Sequence, residues 1–226
     1  MQIVSSDGHT TVSLVAVTRP VGEALAAIGS DSPEQFIAYA ARVSNPGNQS
    51  MVGTALALLR YLMRHAHWSP FEMAHAVIKV TTTRDMGRQA IRHRSFAYQE
   101  FSQRYAAAMR LVRRRARRQD WKNRQASHDD LPRWKRWVWA IMQEAALRLV
   151  AAVYTAALRL DIAKECARGV LPETTETTYY MAGSIRSWIH YIELRDGNGT
   201  QEEHAIIARL AREALASEFP ALFGEE

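Results

Sequence analysis

The chain has 226 residues, 47% of them hydrophobic, which suits one domain with a real core and excludes intrinsic disorder. Its single cysteine, Cys166, excludes an intrachain disulfide and a thiolate zinc cluster within one chain, and fits a reducing cytoplasm. The net charge of +6 is uneven: residues 110–136 hold eleven Lys/Arg against three Asp, a net of +8 that leaves −2 elsewhere and suggests an anionic partner.

The N-terminus has no basic leader followed by an apolar block, so no signal peptide is expected. Residues 10–18 (TTVSLVAVT) are rich in Thr and Val and predict a strand. Ser32-Pro33-Glu34 predicts a helix start, with Ser as N-cap, Pro in the first position and an acid in the first turn. Its apolar residues are Phe36, Ile37, Tyr39 and Ala40. A second helix is expected over about 51–65, carrying Leu56, Leu58, Leu59 and Met63. Residues 71–83 (FEMAHAVIKVTTT) end in β-branched residues and predict a strand, followed by a short helix over Arg84 to Arg92. The segment 106–132 has no clear period. A long helix is expected over about 134–166. Its most apolar stretch, Trp137 to Leu160, is interrupted by Gln143, Glu144, Arg148 and Arg159. No run reaches the roughly 18 apolar residues of a bilayer span, so this predicts a buried or interface helix. Two further helices are expected over 184–195 and 201–217. The pattern predicts an α+β fold.

The stretch Arg84 to Tyr105 concentrates the chemistry. Arg84, Arg88 and Arg92 fall at i, i+4 and i+8 on one helical face, where like charges repel by roughly 0.2–0.5 kcal/mol per pair. Either the negative end of the helix or a bound anion must offset this, and the sequence leaves both open. Arg92-His93-Arg94 then groups three donors. Glu100, Ser102 and Arg104 alternate, so an extended segment would point them to one side, where they could read a polar ligand. The alternative is a local Glu100–Arg104 ion pair, which contributes little. Arg92-His93-Arg94, seven residues, then Ser102 resembles the RHR-x7-S signature of the flavin-dependent thymidylate synthases. Gln89-Ala90-Ile91 before it, and Glu100 and Ser102-Gln103-Arg104-Tyr105 at its end, are similar too. Ala97 and Gln99 stand where that family often has Ser and Asn.

Three more blocks carry the resemblance. His67-Trp68-Ser69-Pro70-Phe71-Glu72 resembles a family element that places His67 and Ser69 at the flavin; read alone, Ser-Pro is turn chemistry. His65, His67 and His75 lack an HExxH motif or a carboxylate triad, so no metal is expected. Glu165 to Pro172 resembles a segment in which Arg168 contacts the nucleotide across a subunit interface. Read alone it is a helix end, with Gly169 as terminator and Pro172 beyond. In Ser184 to Arg195, Ile185, Trp188, Ile189 and Ile192 form a buried stripe, with Arg186 and His190 together on the polar side. The resemblance implies flavin contacts from Ser184, Ile185, Arg186 and His190, and Arg195 at the uracil ring. Ser184 and His190 replace an Asn found in many members. The likeness runs from about residue 12 to 217.

The resemblance implies a single domain over 1–226, with helices packed around a small, mostly antiparallel sheet and a basic insertion at about 106–132. It implies a cytoplasmic homotetramer with shared active sites. Its activity would be reductive methylation of dUMP to dTMP, with 5,10-methylenetetrahydrofolate as carbon donor and FAD reduced by NADPH as hydride source. The implied dUMP set is Gln89, Ala90, Ile91, Arg92, Glu100, Phe101, Ser102, Gln103, Arg104, Arg168 and Arg195. The implied FAD set is His67, Ser69, Arg92, His93, Arg94, Glu100, Ser184, Ile185, Arg186 and His190. Arg195, His67 and His190 would be catalytic. On a continuous helix Cys166 lies ~200° round from Arg168, which predicts a core cysteine and fits a mechanism without a protein nucleophile. No glycine-rich dinucleotide fingerprint is present, so FAD must bind outside a Rossmann crevice. The rival classes are a basic nucleic-acid-binding protein acting through residues 110–136 and a histidine-metal hydrolase. For the basic run, a solvated loop near the active site is favoured over nucleic-acid binding, because charge runs are usually solvated.

Overall fold

The computed structural model describes residues 2–6, 8–107, 110–197 and 199–224. In chain order the elements are β1 (Gln2–Val4), β2 (Thr11–Val17), α1 (Gly22–Ile28), α2 (Pro33–Ala41), α3 (Ala55–Arg64), β3 (His75–Thr83), α4 (Arg84–Ala90), β4 (Ala97–Glu100), β5 (Arg118–Gln119), β6 (Ser127–His128), α5 (Arg133–Arg159), α6 (Lys164–Ala167), β7 (Glu176–Ser184), α7 (Ile185–Arg195), α8 (Glu202–Ala216) and α9 (Pro220–Phe223). The main sheet is antiparallel with strand order β1-β2-β3-β7-β4. It is the small antiparallel sheet expected of an α+β chain.

The sheet forms because its central strands alternate. In β3, Ala76, Ile78 and Val80 are buried and Lys79 between them is exposed; in β7, Thr177, Tyr179, Met181 and Gly183 are buried. That period of two gives one core face and fixes the register, from His75 opposite Ser184 to Thr83 opposite Glu176. α7 adds the expected stripe of Ile185, Trp188, Ile189 and Ile192, all buried, and α8 packs against β2 and α7. Trp188 Nε1 donates to Ala76 O at 3.2 Å, which ties α7 to the sheet.

Several boundaries differ from the sequence reading. The strand expected from residue 71 begins at His75, because Ser69–Glu72 close a 3₁₀ turn with Pro70 inside it. The helix expected from 51 begins at Ala55, after another 3₁₀ turn. α4 ends at Ala90, so Arg92 does not continue a helical face with Arg84 and Arg88. The long helix stops at Arg159, where Asp161 turns to φ 55 and Ile162 N–H donates back to Ala157 O; α6 is separate. β1, β4, β7, α1 and α9 were not assigned from the sequence.

Gly183 on β7 sets how closely the turn before β4 lies on α7. A Cβ there would sit 2.4 Å from the Phe96 ring, and Phe96 meets Trp188 edge-on at 4.7 Å. Gly183→Ala is therefore expected to destabilise the chain by about 1–3 kcal/mol through overpacking, read as a lower urea midpoint at unchanged slope. An unchanged midpoint would show that Phe96 has room to move.

Candidate active site

The turn between α4 and β4 is locked from within. Tyr98 Oη donates to Ala90 O at 2.6 Å and to His93 O at 3.3 Å. Burial raises the Tyr98 pKa well above the usual phenol range, so it stays a donor. The lock presents the His93 ring edge-on to Tyr191, 4.8 Å between centroids. His93 Nε2 accepts from Arg195 Nε at 2.7 Å. Burial, then the Arg195 cation and His190, push the His93 pKa down to about 4. The imidazole is therefore neutral, with its proton on Nδ1. Arg195 is held in place without being neutralised: no carboxylate lies within 4.0 Å of it among the described residues.

A second group forms around Glu100. Glu100 Oε1 accepts from Thr177 Oγ1 at 2.8 Å, beside Gly87 on α4. Gln103 Nε2 and Tyr179 Oη are buried with no hydrogen-bond partner. Such groups are rare in a finished fold and suit a site that expects a polar ligand. Ser102 Oγ accepts from Arg104 N at 3.3 Å. Arg104 meets Glu165 at 3.4 Å, and Lys164 Nζ donates to Tyr105 O at 3.0 Å, so α6 docks on this loop and brings the Arg168 turn beside it. Glu100 and Arg104 do not form the local ion pair: β4 ends at Glu100, which is taken by Thr177, and Arg104 turns to Glu165. Arg88 is offset by Glu173 at 2.6 Å, an alternative the sequence reading did not weigh.

The third group is clamped to the start of α7. Glu72 meets Arg186 at 2.8 Å; a hydrogen bond from Ser184, then Arg186, lowers the Glu72 pKa. Ser184 caps α7 by accepting from Ser187 N at 3.3 Å. Trp68, Glu72, Ser95, Arg186, Ile189 and His190 line a cavity of about 360 Å³. His67 and Ser69 lie on the exposed loop leading into it. Larger grooves elsewhere, such as one lined by Arg60, Arg64 and Arg212, hold none of the expected residues.

Some expected residues are placed otherwise. Ile185 is buried in the core and its N–H donates to Ala74 O, so its side chain does not face a ligand. Ala90 is also buried, and its carbonyl is taken by Tyr98 and His93. Ile91 is exposed and Phe101 half-buried. Arg92 and Arg94 are exposed and Arg168 half-buried; among the described residues none has a carboxylate within 4.0 Å. No hydrogen bond or ion pair among the described residues joins Arg168 to Arg92 or Arg195 within one chain. Cys166 is exposed rather than core: of the four residues of α6 only Ala167 turns into the chain, and the backbone runs on from it into the 3₁₀ turn of Arg168. Among the described residues no three His, Cys, Asp or Glu side chains gather closely enough to hold a metal ion. The sequence reading missed Tyr98, Tyr191, Gln201 and His204, which stand behind the expected residues. In the aligned motif only Tyr98 was within reach, as a tyrosine beside RHR.

The basic segment is largely matched by acids. Each arginine from Arg110 to Arg118 has a carboxylate: Arg110 meets Glu176, Arg113 Glu144, Arg114 Asp85 and Glu203, Arg115 Asp129, Arg117 Glu203, and Arg118 Asp130. That leaves Lys122, Arg124, Arg133 and Lys135 without one among the described residues. A docked loop fits this pairing better than a free cationic strip for nucleic acid.

Residues 27–221 match the sequence model of the family described as thymidylate synthase complementing protein. The chain is 49% identical over 213 residues to a probable flavin-dependent thymidylate synthase of Paramecium bursaria Chlorella virus 1, covering 94% of this chain and 96% of the viral one. It is 44% identical over 214 residues to a flavin-dependent thymidylate synthase of Synechocystis, covering 92% and 95%. A solved structure of the UMP/dUMP methylase PolB from Streptomyces cacaoi, bound with 5-Br UMP, is similar at a TM-score of 0.75 and 26% identity, covering 95% of this chain and 92% of that one.

The neutral His93 has a pH signature. Its folded pKa of about 4 lies below the ordinary histidine value, so as pH falls the unfolded chain takes the proton first. The stability it contributes is complete above about pH 6.5 and is lost as pH falls toward 4. His93→Gln, which can still accept from Arg195, should flatten the slope of unfolding free energy against pH in that window. An unchanged slope would show that His93 is already protonated when folded.

Proposed function

The chain belongs to the thymidylate synthase complementing protein family, and from that premise we propose that it is a flavin-dependent thymidylate synthase that methylates dUMP to dTMP. The observation that carries this reading is Arg195, anchored at 2.7 Å by a neutral imidazole and with no carboxylate within 4.0 Å among the described residues. Replacing the C5 hydrogen of uracil by a methyl group needs a one-carbon unit and a hydride. We assign the carbon to 5,10-methylenetetrahydrofolate, released as tetrahydrofolate, and the reducing equivalents to NADPH. When bound, FAD supplies the hydride.

The chain's own residues bind, orient and stabilise charge. As C5 becomes nucleophilic, negative charge develops on the pyrimidine, and the Arg195 guanidinium meets it already oriented by His93. Gln89, Arg92, Glu100, Ser102, Gln103, Arg104 and Arg168 hold dUMP, with the unpartnered Gln103 amide supplying a donor that needs no prior partner to be broken. His67, Ser69, Arg92, His93, Arg94, Ser184, Arg186 and His190 hold FAD. The donor set suits it: Arg92 and Arg94 are cations without acid partners among the described residues, as a diphosphate needs, and the cavity beside His190 has Trp68 and Ile189 on its walls. Cys166 takes no part as a nucleophile.

We further propose a homotetramer whose active sites are shared between subunits. Along α5 only Tyr154 is buried, while Trp134, Trp137, Ile141, Met142 and Leu149 are exposed. By length and composition α5 could cross a membrane. Glu144 at mid-helix, paired with Arg113 and Arg148, speaks against that, because charges at the bilayer centre are costly. Other copies of the chain are the better cover. The lone cysteine fits work in a reducing cytoplasm.

Purified protein should show flavin absorbance at roughly stoichiometric FAD and form dTMP from dUMP with the folate and NADPH. Protein that stays colourless after incubation with FAD would sink the assignment. Arg195→Ala should lower turnover by about 10²–10³ or more with the assembly intact, judged by light scattering. Cys166→Ser should turn over near the parental rate; an inactive but folded serine variant would return a protein nucleophile to the mechanism.

A further inference from the structure

Behind the expected nucleotide residues runs an unbroken line of hydrogen bonds. Tyr191 Oη lies 3.0 Å from His204 Nε2, and His204 Nδ1 lies 3.2 Å from Gln89 Oε1. Gln89 Nε2 donates to Gln201 Oε1 at 2.7 Å, and Gln201 Nε2 to Glu203 Oε2 at 2.9 Å. Arg117 donates to the same carboxylate oxygen at 2.8 Å.

The acid end fixes every direction in the line. Glu203, held ionised against Arg117, only accepts. Gln201 must therefore turn its NH2 to Glu203 and its carbonyl to Gln89. Gln89 must turn its NH2 to Gln201 and its carbonyl to His204. His204 must donate from Nδ1, and its Nε2 accepts the Tyr191 proton. The ring is fully buried, and burial, then Arg195 and His93, push its pKa down to about 3, so the single-proton form that the line requires is the form present.

Gln89 is half-buried and, on the dUMP reading, belongs to the nucleotide set. The His204 ring that holds it lies 6.3 Å from the His93 ring, and His93 holds Arg195. With one N–H spent on Gln201 and one lone pair on His204, the Gln89 amide keeps one N–H and one lone pair for a ligand. Uracil offers a donor at N3 beside acceptors at O2 and O4. Cytosine offers an acceptor at N3 beside an amino donor at C4. An amide that pairs with the first must turn over by half a revolution to pair with the second. Turned over, it would set N–H against His204 N–H and C=O against Gln201 C=O.

We propose that His204 and Gln201 are positioning residues that fix the orientation of the Gln89 amide and so make the site select uracil over cytosine nucleotides. The proposal deepens the dUMP reading and rests on it. It gives a function to α8, which no expected contact residue occupies, and to the docked Arg117, whose charge keeps Glu203 an acceptor.

The test is equilibrium binding of dUMP and dCMP to the holoprotein, together with kcat and KM for dTMP formation. His204→Leu removes both ring nitrogens at similar bulk. His204→Asn restores a donor close to the Nδ1 position but not an acceptor for Tyr191. Leu should weaken dUMP binding about tenfold, raise KM more than it lowers kcat, and narrow the dUMP-to-dCMP preference; Asn should recover most of all three. Both variants lose the Tyr191 partner, so a merely structural role would lower melting temperature and affinity alike in both. Gln201→Leu, half-buried at the rim, should narrow the preference in the same way and keeps the test open if the His204 variants fold poorly. An unchanged dUMP-to-dCMP ratio in folded Gln201→Leu and His204→Leu would overturn the proposal while leaving the dUMP reading intact. Parent protein that binds no dUMP would remove both.

Discussion

The structure turns on how a guanidinium can be fixed in place without losing its charge. A carboxylate partner would orient Arg195 but cancel most of its field. The His93 imidazole orients it through one short bond and adds no countercharge. That arrangement holds only while His93 stays unprotonated, since a second cation at 2.7 Å would break it, and the surrounding burial ensures this. Much of the neighbouring packing serves the ring. Tyr98 locks the turn that carries it, Tyr191 meets it edge-on, and Gly183 lets Phe96 sink far enough for the turn to close on α7.

The same logic separates two classes of arginine. Those from Arg110 to Arg118 are each matched by an acid and act as braces: Arg114 clasps Asp85 on α4 and Glu203 on α8, and its backbone carbonyl accepts from Trp139 on α5. Among the described residues Arg92, Arg94, Arg168 and Arg195 have no such partner. The placement of carboxylates thus decides which cations remain for an anionic ligand. The run of highest charge density along the chain is not the one left free: net charge by segment suggests an anionic partner there, and the folded pairing spends most of that charge on acids of the same chain.

How much of this could be read from the chain depended on the range of the interaction. The α7 stripe needs only a 3.6-residue period, and the Ser32 cap only its neighbours, so both were legible. The Arg84, Arg88 and Arg92 face was extrapolated one turn too far, because nothing local announces that α4 ends at Ala90. β7 escaped notice although Thr177, Tyr179 and Met181 alternate, since the flanking Thr-rich stretch and Gly183 blur both ends of the pattern. The motif located His93 and Arg195 but not their contact, which joins residues 102 positions apart. Gln89 and His204 are 115 apart, and His204 sits in an ordinary helical pattern that gives no sign of an acceptor waiting opposite.

Arg168 connects chemistry to assembly. The turn that carries it packs against α5 and α6, and α6 is braced to the loop of Ser102 to Tyr105 through Arg104 and Lys164. α5 cannot rest alone with its tryptophans in water, because apolar area exposed on that scale is stabilised by burial at roughly 25 cal/mol per Å². Covering that helix with further copies of the chain would immobilise the Arg168 turn along with it. On the proposed tetramer, an arginine with no carboxylate partner among the described residues is then delivered by the same contact that hides the apolar face. Dilution below the assembly threshold should therefore weaken nucleotide binding before it unfolds the monomer, since the hydrophobic core of the sheet and α7, as described, includes no residue of α5.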